Sequence, residues 1–333
     1  MGHELTRVVV AGSSHYSCVT VREPAWHSLG ANFADRDGLT VAEALRASHQ
    51  DFTVRKVPLA TTGDELAGPI DVPDTYATVR EHPLTGETNV LGTVSGRYTV
   101  LQNADGFSLA QQLVNSHGAN IVSAGGLFDD RRTFVTLRLP DELTIGSDPY
   151  ELYLTLLNSH DGSTALTAAV APVRVVCANT ARAALERARY QWSARHTAGL
   201  VDRVDEARRT LNLASEHTEA LRLLGEQLLG QRFTLAQFDR MTQTLLPLDE
   251  DSTSRKSNRI RTAHENLRGL FAEAPTQASI RGTRWAAYQA FTEFADWGPL
   301  RGDDPNSQRR ATRALTEQHT PLKLAAADYL LAA

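Results

Sequence analysis

Apolar and polar positions alternate most regularly between residues 120 and 173. In Arg132–Leu139, Val135, Leu137 and Leu139 fall on one face of an extended chain, and Arg132, Phe134, Thr136 and Arg138 on the other. Tyr150–Leu157 repeats the pattern, with Leu152, Leu154 and Leu156 opposite Glu151, Tyr153 and Thr155. Asn120–Phe128 leads into the first of these strands through an Asp129-Asp130 turn. Ser163–Val173 follows the second through His160-Asp161-Gly162, whose Asp-Gly pair signals a tight hairpin. Shorter strand-like runs lie at Thr53–Val57, Tyr76–Arg80 and Asn89–Val94. Two helices are predicted before residue 120. Thr40 and Glu43 form a capping box that opens one through Ser48, and Ala104–Asn115 carries the stripe Phe107, Leu109, Leu113 and Val114. A helix over Val175–Ala188 and a strand over Tyr190–His196 complete this part.

Beyond Ala198 the period is helical: Leu200–Leu229, Leu235–Leu246, Arg255–Phe271, Thr283–Asp296 and a terminal pair within Asn306–Leu330. Thr234 and Gln237 form a second capping box, and Gly230, Pro247, Pro275 and Gly298-Pro299 punctuate the series. The expected fold class is α+β. An antiparallel sheet with helices on one face occupies 1–198, and an all-helical region occupies 199–333, which can pack as one body with the first.

At 333 residues, 41% hydrophobic and 22% charged, the chain has enough apolar surface to fold without disulfides or metal. No apolar run is long enough for a membrane helix, and Val8-Val9-Val10-Ala11 is too short for a signal peptide. With two cysteines, Cys18 and Cys177, a reducing cytoplasm is the expected location. Of 34 basic residues only Lys56, Lys256 and Lys323 are lysine, a bias that resembles GC-rich codon usage. Arginine abundance alone therefore carries no nucleic-acid signal, and the net charge of −5 excludes a generally basic DNA binder. Only clustering is informative.

Phosphate-cradling glycine loops, Cys-x-x-Cys, His-Glu-x-x-His and Gly-x-Ser-x-Gly are all missing from the sequence, so no cofactor and no metal is expected. Asn158-Ser159-His160-Asp161-Gly162 is the densest polar cluster. His160 beside Asp161 suits a general base; a hairpin turn whose short polar side chains bond the backbone is the plainer reading. Cys177, at a strand-to-helix junction, is a nucleophile candidate or simply a small buried thiol. Whether the chain is an enzyme is left open on these residues, with a non-enzymatic binder the preferred reading.

Arg174, Arg182, Arg187, Arg189 and Arg195 face one acid, Glu186, with Tyr190 and Trp192 interleaved. Such a segment can track phosphates while its aromatics stack on bases, or it can be a solvated face. Arg255, Lys256, Arg259 and Arg261 open a helix, against the usual acidic bias there; the preceding Asp249-Glu250-Asp251 can offset them. Arg132, Phe134, Arg138 and Tyr153 form a basic-aromatic sheet face suited to single strands, or a covered one.

Four strings resemble the phage/plasmid-like protein family, the domain-of-unknown-function family nine-three-two. They are Pro24-Ala-Trp26-His27-Ser-Leu29-Gly30, Asn158-Ser-His160-Asp161-Gly162, Pro172-Val-Arg174-Val-Val-Cys177-Ala-Asn179-Thr180 and Gly282-Thr-Arg284-Trp285-Ala-Ala. The resemblance implies a prophage or mobile-element origin, in an actinobacterium or its virus, and no reaction. The order of elements is also similar to single-strand annealing proteins of recombination, a fold-level analogy. The resulting expectation is a cytoplasmic factor that binds single-stranded DNA in recombination or replication, acting as a homo-oligomer. Arg174, Arg182, Arg187, Arg189 and Arg195 would contact phosphates, and Trp192 or Phe134 would stack on bases. The alternatives are an enzyme built on Asn158, His160, Asp161 and Cys177, or a host-protein interaction factor using Trp285, Tyr288 and Trp297.

Overall fold

The computed structural model describes residues 5–22, 30–63, 68–174, 179–180, 191–198, 219–248, 254–297 and 320–332. The chain opens with a hairpin of β1 (Arg7–Val10) and β2 (Ser13–Tyr16), followed by β3 (Cys18–Val21) and β4 (Ala31–Phe33). Helix α1 (Val41–Ala47) begins at the expected capping box: Thr40 Oγ1 accepts the Glu43 N–H at 3.2 Å, and the Glu43 carboxylate accepts the Thr40 N–H at 2.8 Å. Strands β5 (Val54–Ala60), β6 (Asp71–Glu81) and β7 (Thr88–Ser95) form a separate three-stranded antiparallel sheet. The next predicted helix is two, α2 (Asn103–Gly106) and α3 (Ser108–His117), broken at Phe107.

Strands β8 (Asn120–Leu127), β9 (Arg132–Ile145), β10 (Asp148–Ser159) and β11 (Leu166–Arg174) are the antiparallel centre of an eight-stranded sheet. Beyond β8 lie β3 and then β4, and the β3–β4 pair is parallel. The outer edge of β11 is shared by β12 (Asn179–Thr180) and β13 (Gln191–Ala194). Asn179 and Thr180 are therefore strand, not helix; the rest of Val175–Ala188 lies outside the described residues. The single expected sheet is three. The N-terminal strands lack a long alternating run and carried no signal of their own.

One face of the main sheet, with Val135, Leu137, Leu154 and Leu156, packs under α1 and α3. On the other face Phe134 packs with Leu5, Cys18 and Leu127. The N-terminal segment supplies that cover: Leu5 bridges to Leu127, and the Thr6 N–H donates to the Gly126 carbonyl at 2.9 Å.

The helical part contains a stretch at 219–229, then α4 (Leu235–Leu245), α5 (Ser254–Ala272), α6 (Arg284–Trp297) and α7 (Thr320–Ala332). Thr234 and Gln237 form the second capping box as expected. Phe238 stacks on Phe271 at 4.3 Å between ring centroids, and Trp285 on Tyr288 at 5.3 Å. The far end of the β9–β10 hairpin enters this core: Leu143, Ile145, Tyr150 and Leu152 are buried among the helices. Gln289 donates to the Tyr150 hydroxyl at 3.2 Å, and Ser279 to Asp148 at 2.7 Å. Gly225 is required here, because a Cβ would stand 2.5 Å from Ile145. No helix among the described residues is long and apolar enough to cross a membrane.

Candidate functional site

The most unusual chemistry of the chain is a buried polar junction. There β6 meets the β8–β9 turn, the β10–β11 loop and the segments around Gln50 and Asn103. Its first centre is Asp130, wholly buried. Asp130 Oδ1 accepts from Gln50 Nε2 at 2.8 Å, Oδ2 from Arg80 Nη2 at 2.5 Å, and its N–H donates to Thr6 Oγ1 at 2.7 Å. A buried carboxylate is tolerable only when its lone pairs are filled in this way. Arg80 also donates to Asn89 Oδ1 at 2.9 Å, and its guanidinium lies 5.3 Å from the Phe52 ring centroid. The turn is strained to bring Asp130 inward: Phe128, Asp129 and Asp130 all have left-handed φ, 56°, 57° and 62°. Gly126 makes room, since a Cβ there would collide with Asp130 Oδ1.

His82 joins this centre. Its Nδ1 accepts the Leu84 N–H at 3.1 Å, so the neutral ring carries its proton on Nε2, 3.8 Å from Asp130 Oδ2. Burial lowers the His82 pKa, and Arg80 adds to the shift. His49, with its ring 6.0 Å from that of His82, is likewise lowered by burial.

The second centre is His160, also wholly buried. Asn103 Nδ2 donates to the Gln50 carbonyl at 2.9 Å, which fixes the amide orientation. Asn103 Oδ1 is then an acceptor, taking His160 Nε2 at 2.9 Å and Asn158 Nδ2 at 3.2 Å. His160 is therefore the Nε2–H tautomer and its Nδ1 holds a lone pair. Burial pushes its pKa down to about 3. The His160 N–H donates to the Arg131 carbonyl at 2.7 Å, and its own carbonyl accepts from Thr78 Oγ1 at 2.6 Å.

Asp161 belongs to a different hydrogen-bond group. Its Oδ1 accepts from Ser159 Oγ at 2.7 Å and from the Ser163 N–H at 2.9 Å, the side-chain-to-backbone pattern of a polar turn. Burial opposes its charge, but the hydrogen bonds from Ser163 and Ser159 outweigh it and hold the carboxyl below its usual range. His160 and Asp161 do not form a catalytic pair, and Asn158 and His160 have no exposed surface for a substrate to reach. Cys177 lies outside the described residues.

The expected nucleic-acid contacts divide. Arg195 is exposed, as are Arg255, Lys256, Arg259 and Arg261 on α5. Phe134 is corrected: it is fully buried, because the N-terminal segment covers its face, and offers no surface to a base. Trp192 is half-buried against the main core, which limits it as a stacking platform. Arg138 pairs with Glu151 at 3.5 Å, and the Tyr153 hydroxyl donates to the same carboxylate at 2.5 Å. Arg132 lies 4.7 Å over the Phe128 ring and donates to Ser163 Oγ at 3.1 Å. Arg174 ends β11, and nothing is described of its side chain. Arg182, Arg187 and Arg189 lie outside the described residues. Trp285 and Tyr288 are fully buried, so they present no docking face; the side chain of Trp297 is outside the described set.

Gln50, Arg80, Asn103 and Asp130 escaped the sequence reading. The hydrogen bonds that join these four residues to one another span 50 to 80 residues of chain, so no local spacing marks them. Among curated proteins and among solved structures nothing matches the chain, so the likeness to annealing proteins stays an analogy. The family model described as a domain of unknown function, DUF932, matches residues 90–319, more than half of the chain. The match takes in Asn103, Asp130, Asn158, His160 and His196, and leaves Gln50, Arg80 and His82 outside. The chain belongs to the DUF932 family.

Proposed function

We propose that this is a phage- or plasmid-derived cytoplasmic factor that binds single-stranded DNA in recombination or replication. The carrying observation is the register at one end of the main sheet. Arg132 opens β9 opposite Ser159. β10 pairs with β11 as far as Leu157 and Thr167, and β11 with β13 as far as Leu166 and Ala194, so Arg195 follows directly on the paired end of β13. Three strand spacings then separate Arg132 from Arg195, roughly 14 Å between backbones. Val135, Leu166 and Ala194 face the main core, so alternation turns both arginines to the other side.

Arg131 and Arg97 are exposed at the same end, Arg97 beside Tyr98, whose hydroxyl donates to the Ser159 carbonyl at 2.7 Å. Asp161 is already engaged by Ser159 and Ser163. Arginines spread along a sheet end suit a flexible phosphate backbone, and a patch of this size gains by multivalent engagement in a homo-oligomer.

The test is binding to a labelled single-stranded oligonucleotide across a salt series. Affinity should fall linearly with salt on logarithmic axes. Arg132→Ala with Arg195→Ala should weaken binding and flatten the slope by roughly 0.7 per lost phosphate contact. No binding at low salt, or an unchanged slope in the double variant, overturns the proposal.

A further inference from the structure

Three aromatics of the main sheet and its end are engaged within the fold. Phe134 is covered, Trp192 is half-buried against the main core, and the Tyr98 ring stacks on His196 at 4.9 Å. Arg132 supplies a flat surface instead. It opens β9 opposite Leu127, the last residue of β8. Phe128 follows in the left-handed region, at φ 56°, which a bulky side chain rarely adopts. Its ring packs against the cluster of Leu5, Cys18, Leu127 and Phe134, and the Arg132 guanidinium lies over it, 4.7 Å from the ring centroid.

The edge of the guanidinium is held as well. Nε and Nη2 donate to Ser163 Oγ at 3.3 and 3.1 Å, and Ser163 Oγ donates to Asp161 Oδ1 at 2.5 Å. Ring and hydroxyl together restrict a long side chain, so less ordering entropy remains to be lost on binding. Arg132 is still only half-buried, and Asp129, Arg131, Gly162 and Ser163 around it are exposed. With the ring beneath it and Ser163 at its edge, what it presents is the face turned away from Phe128.

A guanidinium is planar, delocalised and weakly hydrated, so it stacks on the π-face of a base. The surroundings favour a neutral partner on that face. The Asp161 carboxylate, within electrostatic reach of Arg132, offsets part of its charge and would repel a phosphate at that edge.

We infer that the outer face of Arg132, backed by Phe128 and steadied by Ser163, is a stacking platform for an unpaired base. This rests on the single-strand reading above and gives Arg132 a role that charge alone does not fill. In a duplex, neighbouring pairs cover the base faces, so the platform also selects single strands.

Arg132→Lys separates the face from the charge, since lysine keeps the cation and loses the plane. The full chain is titrated, across a salt series, with a labelled single strand and with an abasic strand of the same phosphate count. Wild type should bind the base-bearing strand roughly fivefold or more tighter than the abasic one. Arg132→Lys should lose roughly that factor on the base-bearing strand, leave the abasic strand unchanged, and keep the salt slope. Equal weakening on both strands, or none on either, overturns the inference and leaves the single-strand reading standing. Wild type that binds neither strand at low salt overturns both.

Discussion

His160 Nε2 sits 2.9 Å from Asn103 Oδ1, across 57 residues of chain. The contact holds the β10–β11 loop against the start of α2, and the same oxygen serves Asn158. Asn103→Ala would strand two buried donors at once. It should lower unfolding free energy by about 2–4 kcal/mol, read as a smaller urea midpoint with an unchanged slope.

The buried histidines set the direction of pH dependence. His160 has a folded-state pKa of about 3 against an ordinary 6.5, and His49, His82 and His196 are also lowered by burial. Below the ordinary value the unfolded chain binds protons that the folded chain refuses. Their contribution is therefore complete above pH 6.5 and is lost as pH falls through the lowered folded-state values, which for His160 reach down to about 3. Melting temperature should drop steadily from about pH 7 to about pH 5, and the drop should be shallower in His160→Phe. A flat wild-type profile over that range would contradict this.

Arg80 and Asp130 form a buried pair in which each partner makes the other tolerable. Arg80→Met or Asp130→Asn should each cost about 3–5 kcal/mol, because a lone buried charge or a broken network remains. The double variant should cost clearly less than the sum of the two, measured by a double-mutant cycle in urea. An asparagine at position 130 keeps the left-handed backbone accessible, so the comparison isolates the charge.

Burial pushes the Cys18 thiol up to about 12. The backbones of Gly30 and Gly125 press on it from both sides. In a Cys177→Ser background, Cys18 should resist thiol reagents in native buffer and react at the rate of unfolding. Rapid labelling without denaturant would show that the N-terminal cover opens locally.

Much of the fold was legible because it rests on local signals. Val135, Leu137 and Leu139 announce β9, and the two capping boxes open α1 and α4 at the expected threonines. Chain length and turn residues then separate strands from helices. The junction was not legible, for a physical reason. Arg80 sits in a strand like any exposed arginine, and Asp130 reads as a turn residue; only folding brings them within 2.5 Å. The fate of Phe134 was hidden likewise. Alternation tells which face a side chain joins, but not that Leu5 and Cys18 will roof it.

The β9–β10 hairpin contributes side chains to both cores, and this bears on how the molecule can be divided. A break at the compositional boundary near residue 198 would leave Leu143, Ile145, Tyr150 and Leu152 attached to the N-terminal piece with no helices around them. A fragment of residues 1–198 should expose this apolar tip, bind hydrophobic dyes and self-associate, while the helical piece would lack the beam on which it assembles. The hairpin is thus a beam common to both parts, and each part carries some of the other's foundation.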